Sequence, residues 1–333
     1  MKNKHTGSKH HGELIMENKM IYEENTEASL IREYAFNNET GDAKITIYRI
    51  FPGIEAAFVS VHMDHFDFQE TEKEMDDKYV GFHYCREGRI EQEVGGEFFY
   101  LMPGDCSVVI RDKHYKKFSL PMKHYHGIGI GIDTDIAEEY FSSFLQNSRI
   151  TPAQVAKRIC GKHHSAILRR VPSLGKVFED CYSVPAEQRL DYLKIKILEL
   201  LYVLHNAEIN DAQIEETTVP RSQVALVKQI ACYISENINE KITVRNLTAK
   251  FGVSDTYLQN SFRLVYGMPV ISFIRAQKMQ CAAQVLIHTE RSVDDIAEEF
   301  GYNNESKFSA VFKKIMGDTP SVYRKEHSKI KIL

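Results

Sequence analysis

Ile242-Thr-Val-Arg-Asn-Leu247-Thr-Ala-Lys-Phe251-Gly252-Val253-Ser254 and Ser292-Val293-Asp-Asp-Ile296-Ala-Glu-Glu-Phe300-Gly301-Tyr302 are two copies of one pattern. Leu247 corresponds to Ile296, Phe251 to Phe300 and Gly252 to Gly301, each pair 49 residues apart. One insertion later, Leu258 corresponds to Phe308, Phe262 to Phe312 and Gly267 to Gly317, each pair 50 apart. A repeat that keeps both apolar spacing and glycine position marks a duplicated structural unit. Each copy reads helix, tight turn, helix. The glycine stands where the first helix must stop and the chain turn sharply, a place that favours positive φ. Ser254 and Asn304 then suit the N-caps of the following helices.

Those following helices have two faces. In the first, Leu258, Phe262 and Val265 share the face to be buried, and Thr256, Gln259, Asn260 and Arg263 share another. In the second, Phe308, Phe312 and Ile315 are expected inside, with Ser306, Ser309, Ala310 and Lys313 outside. An apolar face that anchors a helix and a polar face that enters the major groove is what a DNA recognition helix requires. Gln and Asn amides suit adenine, and Ser or Thr can serve several bases. Arg263 and Lys313, a turn further on, are placed for phosphates, which position a protein without reading sequence. The candidate DNA-facing residues are Asp255, Thr256, Gln259, Asn260 and Arg263 in the first helix. In the second they are Asn304, Glu305, Ser306, Lys307, Ser309, Ala310 and Lys313. A helical bundle with solvated polar faces explains one such copy as well; it explains two joined by a long helix over Val270–Ile287 poorly.

About Val224–Arg324 closely resembles the tandem helix-turn-helix domain of the AraC/XylS family of bacterial transcription regulators. The resemblance rests on Tyr233-Ile234, Asn237 and Ile242-Thr243, on Gly252-Val253-Ser254 with Tyr257-Leu258, and on Phe262-Arg263 with Gly267. It continues through Ala282, Val285-Leu286, Val293, Ile296-Ala297 and Phe300-Gly301-Tyr302. It closes with Phe308-Ser309, Phe312-Lys313-Lys314, Gly317, Pro320 and Tyr323-Arg324. It implies two units held by a linker helix and entering successive major grooves on one DNA face. It also implies a cytoplasmic activator that works with RNA polymerase. Thr248 stands where the first unit usually has alanine, Lys278 where the linker helix usually has arginine, and Ala310 at an often basic position of the second recognition helix. Ala310 points to contact with a thymine methyl or to phosphate anchoring there.

Charge supports the division. From Arg221 to Leu333 there are 16 Lys+Arg against 11 Asp+Glu, whereas the remainder has 26 against 35, within a chain of formal net charge −4. Such asymmetry points to a nucleic-acid-binding segment beside a differently employed one. The 333 residues, 43% hydrophobic and 26% charged, fit two or three ordinary domains. No run of about 18 apolar residues suggests a membrane span. Met1–Met16 lacks the apolar core of a secretory signal, and six scattered cysteines without a C-x-x-C pair read as reduced cytosolic thiols.

Residues 1–40 read as a poorly structured lead-in with one short helix near Glu27–Phe36. Short β-prone runs follow at Ile45–Ile50, Ala57–His62, Tyr79–Cys85, Arg89–Val94, Phe98–Met102, Cys106–Ile110 and Gly127–Ile132, punctuated by turn residues. They suggest an antiparallel sandwich or barrel; by the family resemblance, 41–135 would be a cupin-like effector-sensing β-barrel. Residues 136–207 read as a helical dimerisation segment, 208–222 as a linker, and 223–326 as the all-α tandem helix-turn-helix domain, giving an α+β multidomain chain. Leu190, Leu193, Ile197, Leu201 and Leu204 line one face of a helix over Leu190–Leu204. That face either docks on its own β domain or makes a homodimer.

Other chemistry is sparse. His62, His65, His83, His114, His124 and His126 gather among the expected strands, but only His124-Tyr125-His126 has the spacing of an H-x-H metal pair. We expect surface or core histidines and assign no metal, no cofactor and no catalytic residue. Phe58, Phe82, Tyr84 and Arg86 could line an effector pocket, with Arg86 pairing an anion; ordinary core aromatics are the alternative. Lys113–Lys117 reads as a basic turn. The expected function is a sequence-specific DNA-binding transcription regulator controlled by a small effector. A cupin-type metalloenzyme with a DNA-binding tail and a regulator controlled by a partner protein remain the alternatives.

Overall fold

The strict alternation at Ile128-Gly-Ile130-Gly-Ile132 lies at the centre of the N-terminal half. The computed structural model describes residues 19–23, 30–38, 41–63, 79–94, 96–111, 115–122, 124–144, 150–161, 165–206, 214–215 and 218–327. Within them run β1 (Lys19–Glu23), β2 (Ile31–Asn38), β3 (Gly41–Phe51), β4 (Ile54–His62), β5 (Tyr79–Gly88), β6 (Ile90–Val94), β7 (Glu97–Leu101), β8 (Cys106–Arg111), β9 (Tyr115–Ser119) and β10 (Tyr125–Asp133). There follow α1 (Thr134–Phe144), α2 (Pro152–Cys160), β11 (Ser165–Leu168), α3 (Pro172–Ser183), α4 (Ala186–Asn206) and β12 (Ile214–Glu215). All pairings are antiparallel. One sheet runs β1-β2-β3-β4-β10-β5-β8-β11-β12 and a second runs β7-β6-β9.

Alternation sends Ile128, Ile130 and Ile132 to one face of the larger sheet, into a core shared with α1 to α4. The intervening glycines are not simply solvated. A Cβ at Gly127 would lie 2.0 Å from Tyr125 Oη, and one at Gly131 1.7 Å from Tyr79 Oη, so tyrosine side chains occupy that space. The other core of this half joins Phe36, Ile45, Val61, Cys85 and Tyr125 of the large sheet, with Met63 just past β4, to Ile90 and Leu101 of the small one. Four of the six free cysteines, Cys85, Cys106, Cys160 and Cys181, are buried.

Four expectations are corrected here. Residues 31–38 form a strand rather than a helix, because they pair along their whole length with β3, from Ile31 opposite Tyr48 to Asn38 opposite Gly41. The rest of the lead-in, apart from β1, lies outside the described residues or at Leu30. The leucine face of α4 is turned inward: Leu193, Ile197, Leu200, Leu201 and Leu204 are buried in the core beneath the sheet, with Leu190 packed at its edge. These residues are therefore not a free dimer seam, and Ile195 and Tyr202 are exposed instead. The linker also carries structure, with β12 pairing β11 and Val219 N–H donating to Phe98 O at 2.9 Å. The basic stretch expected as a turn runs into β9, and residues 112–114 lie outside the described ones.

The C-terminal half comprises α5 (Arg221–Glu236), α6 (Val244–Phe251), α7 (Asp255–Tyr266), α8 (Val270–His288), α9 (Val293–Glu299), α10 (Glu305–Met316) and α11 (Pro320–His327). The linker helix α8 belongs to two cores in turn. Val270, Phe273 and Ile274 join Leu247, Leu258 and Phe262 of the first unit. Met279, Ala282, Ala283 and Leu286 join Ile296, Phe308 and Phe312 of the second. At 1.5 Å per residue this 19-residue helix is about 28 Å long. No helix among the described residues is long and apolar enough to cross a membrane.

Candidate nucleic-acid interface

The two units are built alike. Thr243 accepts from Asn246 N–H at the start of α6, and Gly252 ends that helix at φ +66, a left-handed conformation that glycine adopts without Cβ strain. Ser254 Oγ then accepts from Tyr257 N–H at 3.2 Å to begin α7. In the second unit Ser292 caps α9, Gly301 turns the chain at φ +82, and Asn304 Oδ1 accepts from Lys307 N–H at 3.1 Å. Lys278 of α8 ties the units together, donating to Phe300 O at 3.0 Å and to Glu240 O at 3.4 Å. Burial lowers its pKa. Arg324 Nε donates to Leu286 O at 2.9 Å and holds α11 on α8.

On α7, Leu258, Phe262 and Val265 are buried, while Asp255, Thr256, Asn260 and Arg263 are exposed. Gln259 departs from the expected face. It is half-buried and its Oε1 accepts the Val270 N–H at 3.3 Å, so it satisfies a donor at the start of α8. Tyr257 and Leu264 are exposed beside the polar residues, and neither was among the expected DNA-facing residues. On α10, Phe308 and Phe312 are buried, but Ile315, expected inside, is 36% exposed. Asn304, Glu305, Ser306, Lys307, Ala310 and Lys313 are exposed and Ser309 is half-buried. Lys314, exposed in the same last turn, was not among the candidate DNA-facing residues although its charge was visible in the sequence.

The N-terminal half reaches the first unit. Arg89, only 4% exposed, donates from Nη1 to Arg263 O at 3.1 Å and from Nη2 to Leu264 O at 2.8 Å. A cation is thereby fixed on the last turn of α7, where helix-end carbonyls and the helix dipole favour it. Burial, with Arg169 nearby, lowers the Arg89 pKa to about 10, which leaves it charged at neutral pH. A Cβ at Gly267 would meet Arg89 Nη1 at 2.5 Å, so the glycine leaves room for the guanidinium. Around this contact Lys228 pairs Glu91 at 2.6 Å and Arg221 pairs Glu93 at 2.7 Å. A cleft of about 390 Å³ lies alongside, walled by Arg89, Tyr100, Arg169, Asn260 and Arg263 among others.

The expected effector pocket is filled. Phe58, Phe82 and Tyr84 are core residues, Tyr84 stacks on Phe178 at 4.8 Å, and its hydroxyl donates to Glu179 at 3.0 Å. Arg86 pairs with Glu179 at 3.3 Å and lies 4.2 Å over the Tyr182 ring. Helix α3 thus occupies the space a ligand would need. Of the histidines, the structure brings His62 to the His124–His126 pair, while His83 is buried elsewhere and His65 and His114 lie outside the described residues. Burial lowers the pKa of both His62 and His126, with a neighbouring histidine adding to the effect in each.

Comparison with known proteins matches residues 247–326 to a helix-turn-helix domain family. The regulatory protein SoxS of Escherichia coli K12 is 34% identical over 103 residues, 31% of this chain and 96% of SoxS. The transcriptional regulator Rob of Salmonella typhimurium LT2 is 28% identical over 103 residues, 31% of this chain and 36% of Rob. Among solved structures, a probable AraC family transcriptional regulator from Rhodopseudomonas palustris CGA009 is 26% identical, with a TM-score of 0.29, over 31% of this chain and 97% of that one. With its duplicated, capped helix-turn-helix units and a relative matched over nearly its whole length, this chain belongs to the AraC family of bacterial transcription regulators.

Proposed function

We propose that the chain is a cytoplasmic, sequence-specific transcription regulator whose two recognition helices, α7 and α10, enter successive major grooves. The observation that carries this reading is the pair of exposed polar faces on equivalent, apolar-anchored helices joined by one rigid helix. Asn260, with Thr256, is the candidate for base edges in the first groove; Ser306 and Ala310 are candidates in the second. Arg263, Lys307, Lys313 and Lys314 serve phosphates. Gln259 leaves this list, because its amide is engaged with α8.

Control by the N-terminal half follows from the Arg89 contact. Asn260 and Arg263 both face DNA in this reading and both line the interdomain cleft. A small effector in that cleft would act on the first recognition helix directly. Its volume falls in the range of small-molecule sites; of the three arginines in its wall, Arg89 holds helix carbonyls and Arg169 pairs with Asp105, which leaves the exposed Arg263 to meet an anion. The N-terminal sheets, cupin-like by the family resemblance, are the sensor. A homodimer would use the exposed side of α4, with Ile195 and Tyr202, rather than its buried leucines. The activator role, working with RNA polymerase, rests on the resemblance. The direct test of DNA binding is fluorescence anisotropy of a labelled duplex titrated with the full chain at several salt concentrations. Affinity should fall steeply and linearly on a log–log plot as phosphate counterions are released; no binding at low salt would contradict the reading.

A further inference from the structure

Strand register gathers a side-chain cluster that DNA recognition does not use. β10 lies between β4 and β5, with His126 opposite Ser60 on one side and Glu87 on the other. Two residues back along this chain is His124, and two residues forward along antiparallel β4 is His62, so alternation sets all three imidazoles on one face. An irregularity between His126 and Gly127 shifts the β5 register and sets Glu87, rather than Arg86, opposite His126. The rings then meet. His62 Nδ1 lies 3.1 Å from His124 Nδ1, and His62 Nε2 lies 2.8 Å from His126 Nε2. Ser60 Oγ is 3.2 Å from His126 Nε2, and Glu87 Oε2 is 2.9 Å from His124 Nε2. One nitrogen from each histidine lies within 4.8 Å of the others.

We propose that His62, His124 and His126 form a site for a divalent first-row transition-metal ion, zinc foremost, with Glu87 orienting His124. Three converging imidazoles suit zinc and its neighbours, whereas magnesium and calcium want oxygen donors. Zinc–nitrogen bonds of about 2.0–2.1 Å in a tetrahedron hold donor nitrogens roughly 3.3 Å apart; the His62–His124 contact has that size, and because His62 turns its other ring nitrogen to His126, one nitrogen per ring converges to within 4.8 Å, a spacing that rotation of the exposed His62 ring would tighten around an ion. His124 offers Nδ1 to the cluster while its Nε2 meets Glu87, the carboxylate–histidine–metal arrangement that fixes a ring's tautomer and direction. His62 is exposed, which leaves an entry path and a fourth position for water.

The test uses the full chain with His5, His10 and His11 replaced by alanine, so that the N-terminal imidazoles do not compete. Chelator-stripped protein is titrated with zinc chloride by calorimetry and, separately, with cobalt chloride by absorbance. One equivalent per chain is expected, with a cobalt spectrum of nitrogen and oxygen ligation and no thiolate charge-transfer band. His62→Ala, a surface substitution, should abolish the equivalent while leaving the metal-free circular dichroism unchanged. Glu87→Gln should weaken binding about 10–100-fold. Absence of a stoichiometric equivalent, full binding by His62→Ala, or a thiolate band that assigns the ion to cysteine would each overturn the proposal.

Discussion

The two recognition helices come from one repeated motif yet live in different surroundings. α7 ends under Arg89 from the N-terminal half, and its core includes Phe98 and Tyr100 of β7. α10 packs in the second unit's cluster, and among the described residues no hydrogen bond or ion pair joins it to the N-terminal half. A duplicated sequence therefore yields one helix whose end is held by the N-terminal half and one whose polar face is left open. The contrast teaches that the repeat specifies the helices, while single residues outside it, above all Arg89, specify which of them the N-terminal half holds.

The largest effect tests the cores. Phe262 and Phe308 are both fully buried, and truncation to alanine should cost about 3–5 kcal/mol in either unit. The two losses should spread differently. In hydrogen exchange, Phe308→Ala should loosen α9, α10 and the second half of α8, within the C-terminal half, whereas Phe262→Ala should loosen α5 and reach β7 of the N-terminal half. Equal spread would break the contrast.

Arg89→Ala removes the guanidinium from two helix-end carbonyls, a loss of about 1–3 kcal/mol at the domain contact. If that contact restrains α7, the full chain should bind its DNA site about 5–150-fold more tightly. Unchanged affinity, read by anisotropy, would mean that the contact is structural only. Asn260→Ala and Gln259→Ala then separate two adjacent amides. The first should lose about 1–3 kcal/mol of base discrimination. The second should keep that discrimination and lower stability by about 0.5–2 kcal/mol, the worth of a helix-start acceptor. Competition binding and denaturant melts on both variants check this. The smallest effect belongs to phosphates: Arg263→Ala and Lys313→Ala should each lower the slope of log affinity against log salt by about one unit, alike for all sequences.

Much of this was legible in the sequence because the repeat constrains both apolar spacing and glycine position. Phe262, Phe308, Gly252 and the caps at Ser254 and Asn304 fell where that logic put them. What escaped depends on partners distant in the chain. Gln259 carries the same amide whether it faces a groove or the start of α8, and only the turn at Gly267 decides. The α4 leucines announced an apolar face but not what covers it. Residues 31–38 have helix-tolerant composition and become a strand through pairing with β3. His62 lies far in sequence from His124, and no local spacing could announce a neighbour supplied by antiparallel register.

The central claim is that both helices read DNA together, and binding-site selection tests it most directly. The full chain would be presented with random duplexes at fixed salt and the retained pool sequenced. Two enriched patches about 10–10.5 base pairs apart are predicted, the spacing of successive major-groove turns. A single patch, or a pool without enrichment, would contradict tandem groove insertion.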